Sequence, residues 1–135
     1  EMKVGGTTIW ERWDALREDG TCNTGEDDGT GGMVSFNHFS YGAVGDFLYR
    51  RIAGIENLSG GGKEVQIAPM VGGGLTQARG VVHTAYGKVT SEWWIKDGKF
   101  TLHVDIPCST TAYVKLPGGE EKKLGSGSYT YSENI

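Results

Sequence analysis

"SEWWIKDGKFTLHVDIP", residues 91–107, reads as two strands and the turn between them. Asp97-Gly98 supplies the positive φ angles of a two-residue type I′ hairpin. In the second run Phe100, Leu102, Val104 and Ile106 recur at every other position, the period of a strand with one face buried. Trp93 and Trp94 are adjacent, so their indoles must point to opposite faces. One belongs to a core. The other is either a surface platform for carbohydrate or a rim residue that packs on whatever precedes the sheet.

The same short-period pattern extends outward through "KEVQIAP" (63–69), "LTQARGVVHTAYG" (75–87), "TTAYVKLP" (110–117) and "GSYTYS" (127–132). Six or seven β-branched or aromatic runs, separated by turn signals, predict an antiparallel β-sandwich. The chain has 23 glycines in 135 residues, far above the usual share of about 7%. They gather in clusters such as "SGGG" (59–62) and "VGGG" (71–74), which punctuate the chain without a strict period. These clusters lack the phosphate-binding GxxxxGK[ST] pattern and read as hinges and turns.

Upstream of residue 59 the period changes. In "SFNHFSYGAVGDFLYRRIAGI" (35–55) the apolar residues Phe36, Phe39, Ala43, Phe47, Leu48, Ile52 and Ile55 recur at steps of three and four, which predicts an amphipathic helix. Ser35 is placed to cap its start and Gly54 to end it. Gly42 and Gly45 inside it each cost about 0.5–1 kcal/mol relative to alanine, so a close backbone or ligand contact is expected there. The fold class is thus mixed but mainly β, in two domains, 1–58 and 59–135. One helix cannot cover its own apolar face. It packs either on helices outside this sequence or on the sandwich.

Composition narrows the function. A net charge of −4, with the 13 Lys and Arg scattered, argues against nucleic acid, which needs clustered cations. No apolar run approaches the ~20 residues of a membrane span, and the opening "EMKVGG" lacks the layout of a secretory signal. Starting on Glu1 suggests a longer parent. Cys22 and Cys108 read as two unpaired thiols. The acidic loop 17–32, with Asp19, Glu26, Asp27 and Asp28, lacks the order of an EF-hand and reads as a solvated loop, with no metal and no cofactor expected.

Chemistry concentrates near the N-terminus, in "TTIWERWD" (7–14). Glu11 lies between Trp10 and Trp13. Indole rings offer the C–H face of a sugar an apolar platform, and a carboxylate desolvated against them suits proton transfer. The competing reading makes Trp10 and Trp13 packing residues and pairs Glu11 with an arginine at the surface; spacing alone favours that reading. Asn37 and His38 fall in the first helical turn, where a neutral imidazole can donate and accept towards hydroxyls or simply bind a backbone carbonyl. Tyr41 reads as core. No GxSxG elbow or Cys/His pairing supports a nucleophilic hydrolase.

Taken in order, "GGTTIWERWD", "SFNHFSYGAVGDFLYRRIAGI", "IAPMVGGGLTQARGVVHTAYGKVTSEW", "VDIPCSTTAYVKLP" and "GSGSYTYS" resemble the C-terminal end of bacterial α-L-rhamnosidases of glycoside hydrolase family 78. The resemblance covers nearly the whole chain. It implies the last helix of an (α/α)6-barrel catalytic domain followed by an accessory β-sandwich. It implies inversion at L-rhamnose, with Glu11 of the "TxWERW" motif as general base and His38 of "SFNH" contacting the sugar beside Trp10 and Trp13. The implied partners are a rhamnosylated glycan or glycoside and the remainder of the barrel. The family's general-acid segment has no counterpart in these residues. A non-catalytic carbohydrate-binding or bracing sandwich is the alternative.

Overall fold

Each run of period two forms a strand in the computed structural model, which describes residues 2–25 and 32–135. Glu26, Asp27 and Asp28 of the expected solvated loop therefore lie outside the described residues. The chain divides into two compact units, Glu1–Gly45 and Asp46–Ile135. The second holds eight strands: β1 (Ile55–Asn57), β2 (Glu64–Ile67), β3 (Gln77–Thr84), β4 (Gly87–Lys96), β5 (Lys99–Ile106), β6 (Thr111–Val114), β7 (Lys122–Leu124) and β8 (Gly127–Asn134). They make two four-stranded sheets, ordered β1-β2-β6-β7 and β3-β4-β5-β8. This is a mainly β structure of two sheets.

The β4–β5 hairpin forms as expected, with Lys96 opposite Lys99 and both turn residues at positive φ, Asp97 at 52° and Gly98 at 73°. Two strands lie where no strand is expected. β1 occupies Ile55, counted above as the helix's last apolar residue, and β7 uses the polar Lys122-Lys123-Leu124. One pairing is parallel, Glu64–Ile67 of β2 against Thr111–Val114 of β6, whereas every other strand pair is antiparallel. The 43 residues between the two segments, including the whole β3-β4-β5 meander, make that crossover possible.

The core lies between the inner faces of the sheets. Val65, Ile67, Val89, Trp93, Phe100, Leu102, Val104, Ala112 and Val114 are fully buried; in β2, β5 and β6 they alternate with less buried neighbours as period two requires, whereas in β4 Val89, Thr90 and Ser91 are buried in succession. Trp93 packs on Phe100 with ring centroids 5.7 Å apart. Trp94, one residue on, is 37% exposed on the other face.

The helical stretch is shorter and more broken than 35–55. It consists of α1 (Phe39–Gly42), α2 (Val44–Phe47) and a π-helical turn over Leu48–Ile52, closed by the Ala53 N–H on the Leu48 carbonyl at 2.9 Å. Ser35 does not cap it. Its N–H and carbonyl are both taken by Glu11, and its hydroxyl accepts from the Asn37 N–H at 3.2 Å, so helix begins only after His38. No residue of the three pieces is buried, and a Cβ on Gly42 or Gly45 would meet nothing within 4 Å. The close contact expected at these glycines is absent among the described residues.

The end of the stretch is firmly held. The carbonyls of a last helical turn lack partners within the helix, and here side chains of β4 supply them. Trp93 Nε1 donates to the Ile52 carbonyl at 2.7 Å and Ser91 Oγ to the Ala53 carbonyl at 2.6 Å. Gly54 then reverses the chain at φ 81°, and its carbonyl accepts from the Ala68 N–H at 2.9 Å. A Cβ at Gly54 would collide with the Ala68–Pro69 backbone, and one at Gly80 with the Ala53 side chain. Glycine is required at both places by close approach.

Candidate functional site

Glu11 and His38, 27 positions apart in sequence, come together through backbone bonds that need no regular secondary structure. The Glu11 N–H donates to the Ser35 carbonyl at 2.8 Å, and the His38 N–H donates to the Ile9 carbonyl at 2.8 Å. The Thr8 hydroxyl donates to the Phe36 carbonyl between them. Segments 8–11 and 35–38 are thereby laced side by side.

The lacing also orients the carboxylate. The Ser35 N–H donates to Glu11 Oε2 at 2.8 Å, which leaves Oε1 facing His38 Nε2 at 4.0 Å. The side chains are 39% and 26% exposed, respectively, so both remain open to a ligand. His38 stacks on Phe39, with centroids 5.7 Å apart, and lies 5.4 Å from the Tyr41 ring. Its Nδ1 is buried and has no hydrogen-bond partner among the described residues. A carboxylate oxygen and an imidazole nitrogen 4.0 Å apart can both reach one hydroxyl or water bound beside them.

The two indoles play different parts. Trp10 is buried and packs edge-on to Phe36 at 5.1 Å, whereas Trp13 is 84% exposed. Both line an apolar hollow of about 340 Å³ with Ile9, Tyr41 and Val44, within the roughly 300–1,000 Å³ range of small-ligand sites. Tyr41, expected in a core, is half exposed and borders this hollow instead. Its place three residues after His38 in the sequence is the signal that could have found it. Ser35 as the anchor of Glu11 had no local signal.

Around the carboxylate the chain is braced by short-range polar contacts. Arg12 Nε lies 3.7 Å from Asp14, and Asp14 accepts from Asn23 Nδ2 at 2.6 Å. Asp19 accepts from both the hydroxyl and the N–H of Thr21, at 2.7 and 2.9 Å. The Thr21 hydroxyl, then its N–H, hold the Asp19 carboxyl below its ordinary value of 3.8.

An indole-lined hollow, a carboxylate pinned by a backbone N–H and an imidazole 4.0 Å from that carboxylate are groups able to receive a polar ligand. Comparison with known proteins gives the family. Residues 54–130 match the model of the bacterial alpha-L-rhamnosidase C-terminal domain, and residues 1–52 that of the bacterial alpha-L-rhamnosidase 6 hairpin glycosidase domain. This chain belongs to the bacterial α-L-rhamnosidase family.

Among curated relatives, an alpha-L-rhamnosidase of Formosa agariphila is 38% identical over 136 residues, covering 99% of this chain and 14% of its own length. One of Streptomyces avermitilis is 42% identical over 120 residues, covering 89% of this chain and 11% of its own. The chain therefore spans only 11–14% of the length of these curated relatives. The crystal structure of a rhamnosidase from Aspergillus terreus superposes with a TM-score of 0.84 at 37% identity, over 97% of this chain and 15% of that one. The S. avermitilis alpha-L-rhamnosidase complexed with L-rhamnose superposes with a TM-score of 0.82 at 34% identity, over 98% of this chain and 14% of that one.

Proposed function

We propose that this chain is the C-terminal portion of an inverting α-L-rhamnosidase that hydrolyses terminal α-L-rhamnosyl residues, and that Glu11 is its general base. The observation that carries the reading is the Ser35 N–H clamp, which fixes Glu11 Oε2 at 2.8 Å and turns Oε1 towards His38. It lies in the stretch matched by the six-hairpin glycosidase model. The N-terminal part then closes an (α/α)6 barrel, and the strands after it form the accessory sandwich.

Inversion requires two carboxyl groups about 6.5–9.5 Å apart, one protonating the leaving oxygen and one deprotonating water on the opposite face of the ring. Glu11 takes the second part. Its free Oε1 accepts a proton from a water, while His38 Nε2 orients a sugar hydroxyl; Trp10, Trp13 and Tyr41 offer the apolar wall against which the C–H face and the 6-methyl of rhamnose rest. The acid is a second carboxyl group contributed from the remainder of the barrel. The exposed apolar residues of the helical stretch, Phe39, Val44, Phe47 and Leu48, support barrel helices as the partner.

The test is hydrolysis of an aryl α-L-rhamnoside by the longer protein that contains this sequence, with and without Glu11→Gln. Loss of one acid–base group costs about 10²–10⁴-fold in kcat. Activity of Glu11→Gln within a few-fold of the unaltered enzyme would falsify the general-base role. The 135-residue chain alone, lacking an acid partner, is expected to give no turnover.

A further inference from the structure

We infer that the sandwich carries a second, non-catalytic carbohydrate site on the outer face of β3 and β4, in which Trp94 is the platform and Gln77, Arg79 and Glu92 hold the ring hydroxyls of a neutral pyranose. Register places Gln77 opposite Trp94 and Arg79 opposite Glu92. Side chains two apart on a strand share a face, so these four residues form one square patch. Thr101 of β5, opposite Trp94 on its other side, continues it. The patch borders a cleft of about 530 Å³, large enough for a monosaccharide unit with water to spare.

The chemistry of the patch selects its ligand. Trp94 is 37% exposed, while Trp93, its neighbour, is fully buried. No core requirement therefore explains an indole at this position. Its neighbours on the same face, Gln77, Glu92 and Thr101, are polar, which suits a ligand with one apolar face and a rim of hydroxyls. Arg79 Nε meets Glu92 at 3.6 Å, with the side chains 55% and 46% exposed. A guanidinium carries five donors and a carboxylate about four acceptor sites, so this pair keeps capacity for vicinal hydroxyls on both sides. Because the pair is net neutral, it favours an uncharged sugar over a uronate or a phosphate. The site uses neither Glu11 nor the barrel, and so stands or falls apart from the catalytic reading.

The experiment follows the four tryptophan indole N–H signals of the isotopically labelled chain by NMR during titration with methyl α-L-rhamnoside, and separately with methyl β-D-glucoside. A saturable shift of the Trp94 signal at millimolar sugar is expected. Trp94→Ala should weaken binding by about tenfold or more, Trp94→Phe should restore part of it, and Arg79→Ala should weaken it several-fold. Trp94 and Arg79 are both open to solvent, and unchanged thermal melting shows that the variants still fold. A Trp94 signal that stays still, or that glycerol moves equally well, overturns the proposal. Shifts confined to Trp10 and Trp13 overturn it too, while leaving the Glu11 reading standing.

Discussion

Residues up to Gly45 and residues from Asp46 onward use their apolar side chains in opposite ways. In the second unit, twelve buried residues from Ile55 to Leu116 form one cluster drawn from both sheets. In the first, Trp10 and Ala15 are buried, while Trp13, Met33, Phe39, Tyr41 and Val44 are exposed. The sandwich buries a single core between its two sheets. The first unit is laced by a few backbone bonds between residues 8–11 and 35–38 and leaves its rings open, as a binding surface must. The proposed chemistry and the largest buried core thus lie in different stretches of one short chain.

Substitutions can break or sharpen that contrast. The largest effect is expected at Glu11, where glutamine should abolish most turnover of the longer enzyme without altering the melting of the sandwich. A matching loss of stability would show that the clamp is structural. Next comes Trp93→Ala, which removes a fully buried ring and the donor to the Ile52 carbonyl. Urea unfolding should register a loss of about 3–5 kcal/mol. If the loss is under 1 kcal/mol, the two sheets do not share one core.

A smaller loss, about 1–3 kcal/mol, is expected for Gly54→Ala, because the left-handed backbone and the Ala68–Pro69 chain both exclude a Cβ there. Hydrogen exchange should show β1 and the 48–53 turn loosening before β4 and β5. Uniform loosening would mean that the junction is not a separate cooperative element.

The smallest effect belongs to Asp19. Its carboxyl is lowered by the Thr21 hydroxyl and N–H, so its contribution to holding the loop is present above the unfolded-state pKa and fades as pH falls through the folded value. An NMR titration should find Asp19 below 3.8, and Thr21→Val should move it back up. An unmoved titration would mean that the turn does not persist in solution.

Much of the second unit was legible because its signals are local. Asp97-Gly98 specifies its turn from two residues, and period two survives wherever one face of a strand is buried. The adjacent Trp93 and Trp94 had to separate by geometry alone. β7 was hidden because two lysines give no burial pattern, and an edge strand needs none. The helix was over-extended because Ser35 has a cap's chemistry but spends its backbone on Glu11, a partner 24 residues away.

The sequence by itself therefore determined six of the eight strands, the hairpin, the glycine reversal at Gly54 and, through its motifs, the family. Each depends on side-chain period, on a φ sign or on a contiguous string of residues. Tertiary structure alone decided the parallel seating of β2 on β6, the breaking of the helix, the openness of Trp13 and Tyr41, and the 4.0 Å approach of Glu11 to His38. Those depend on which distant backbone groups find one another, and no window of neighbouring residues contains both partners.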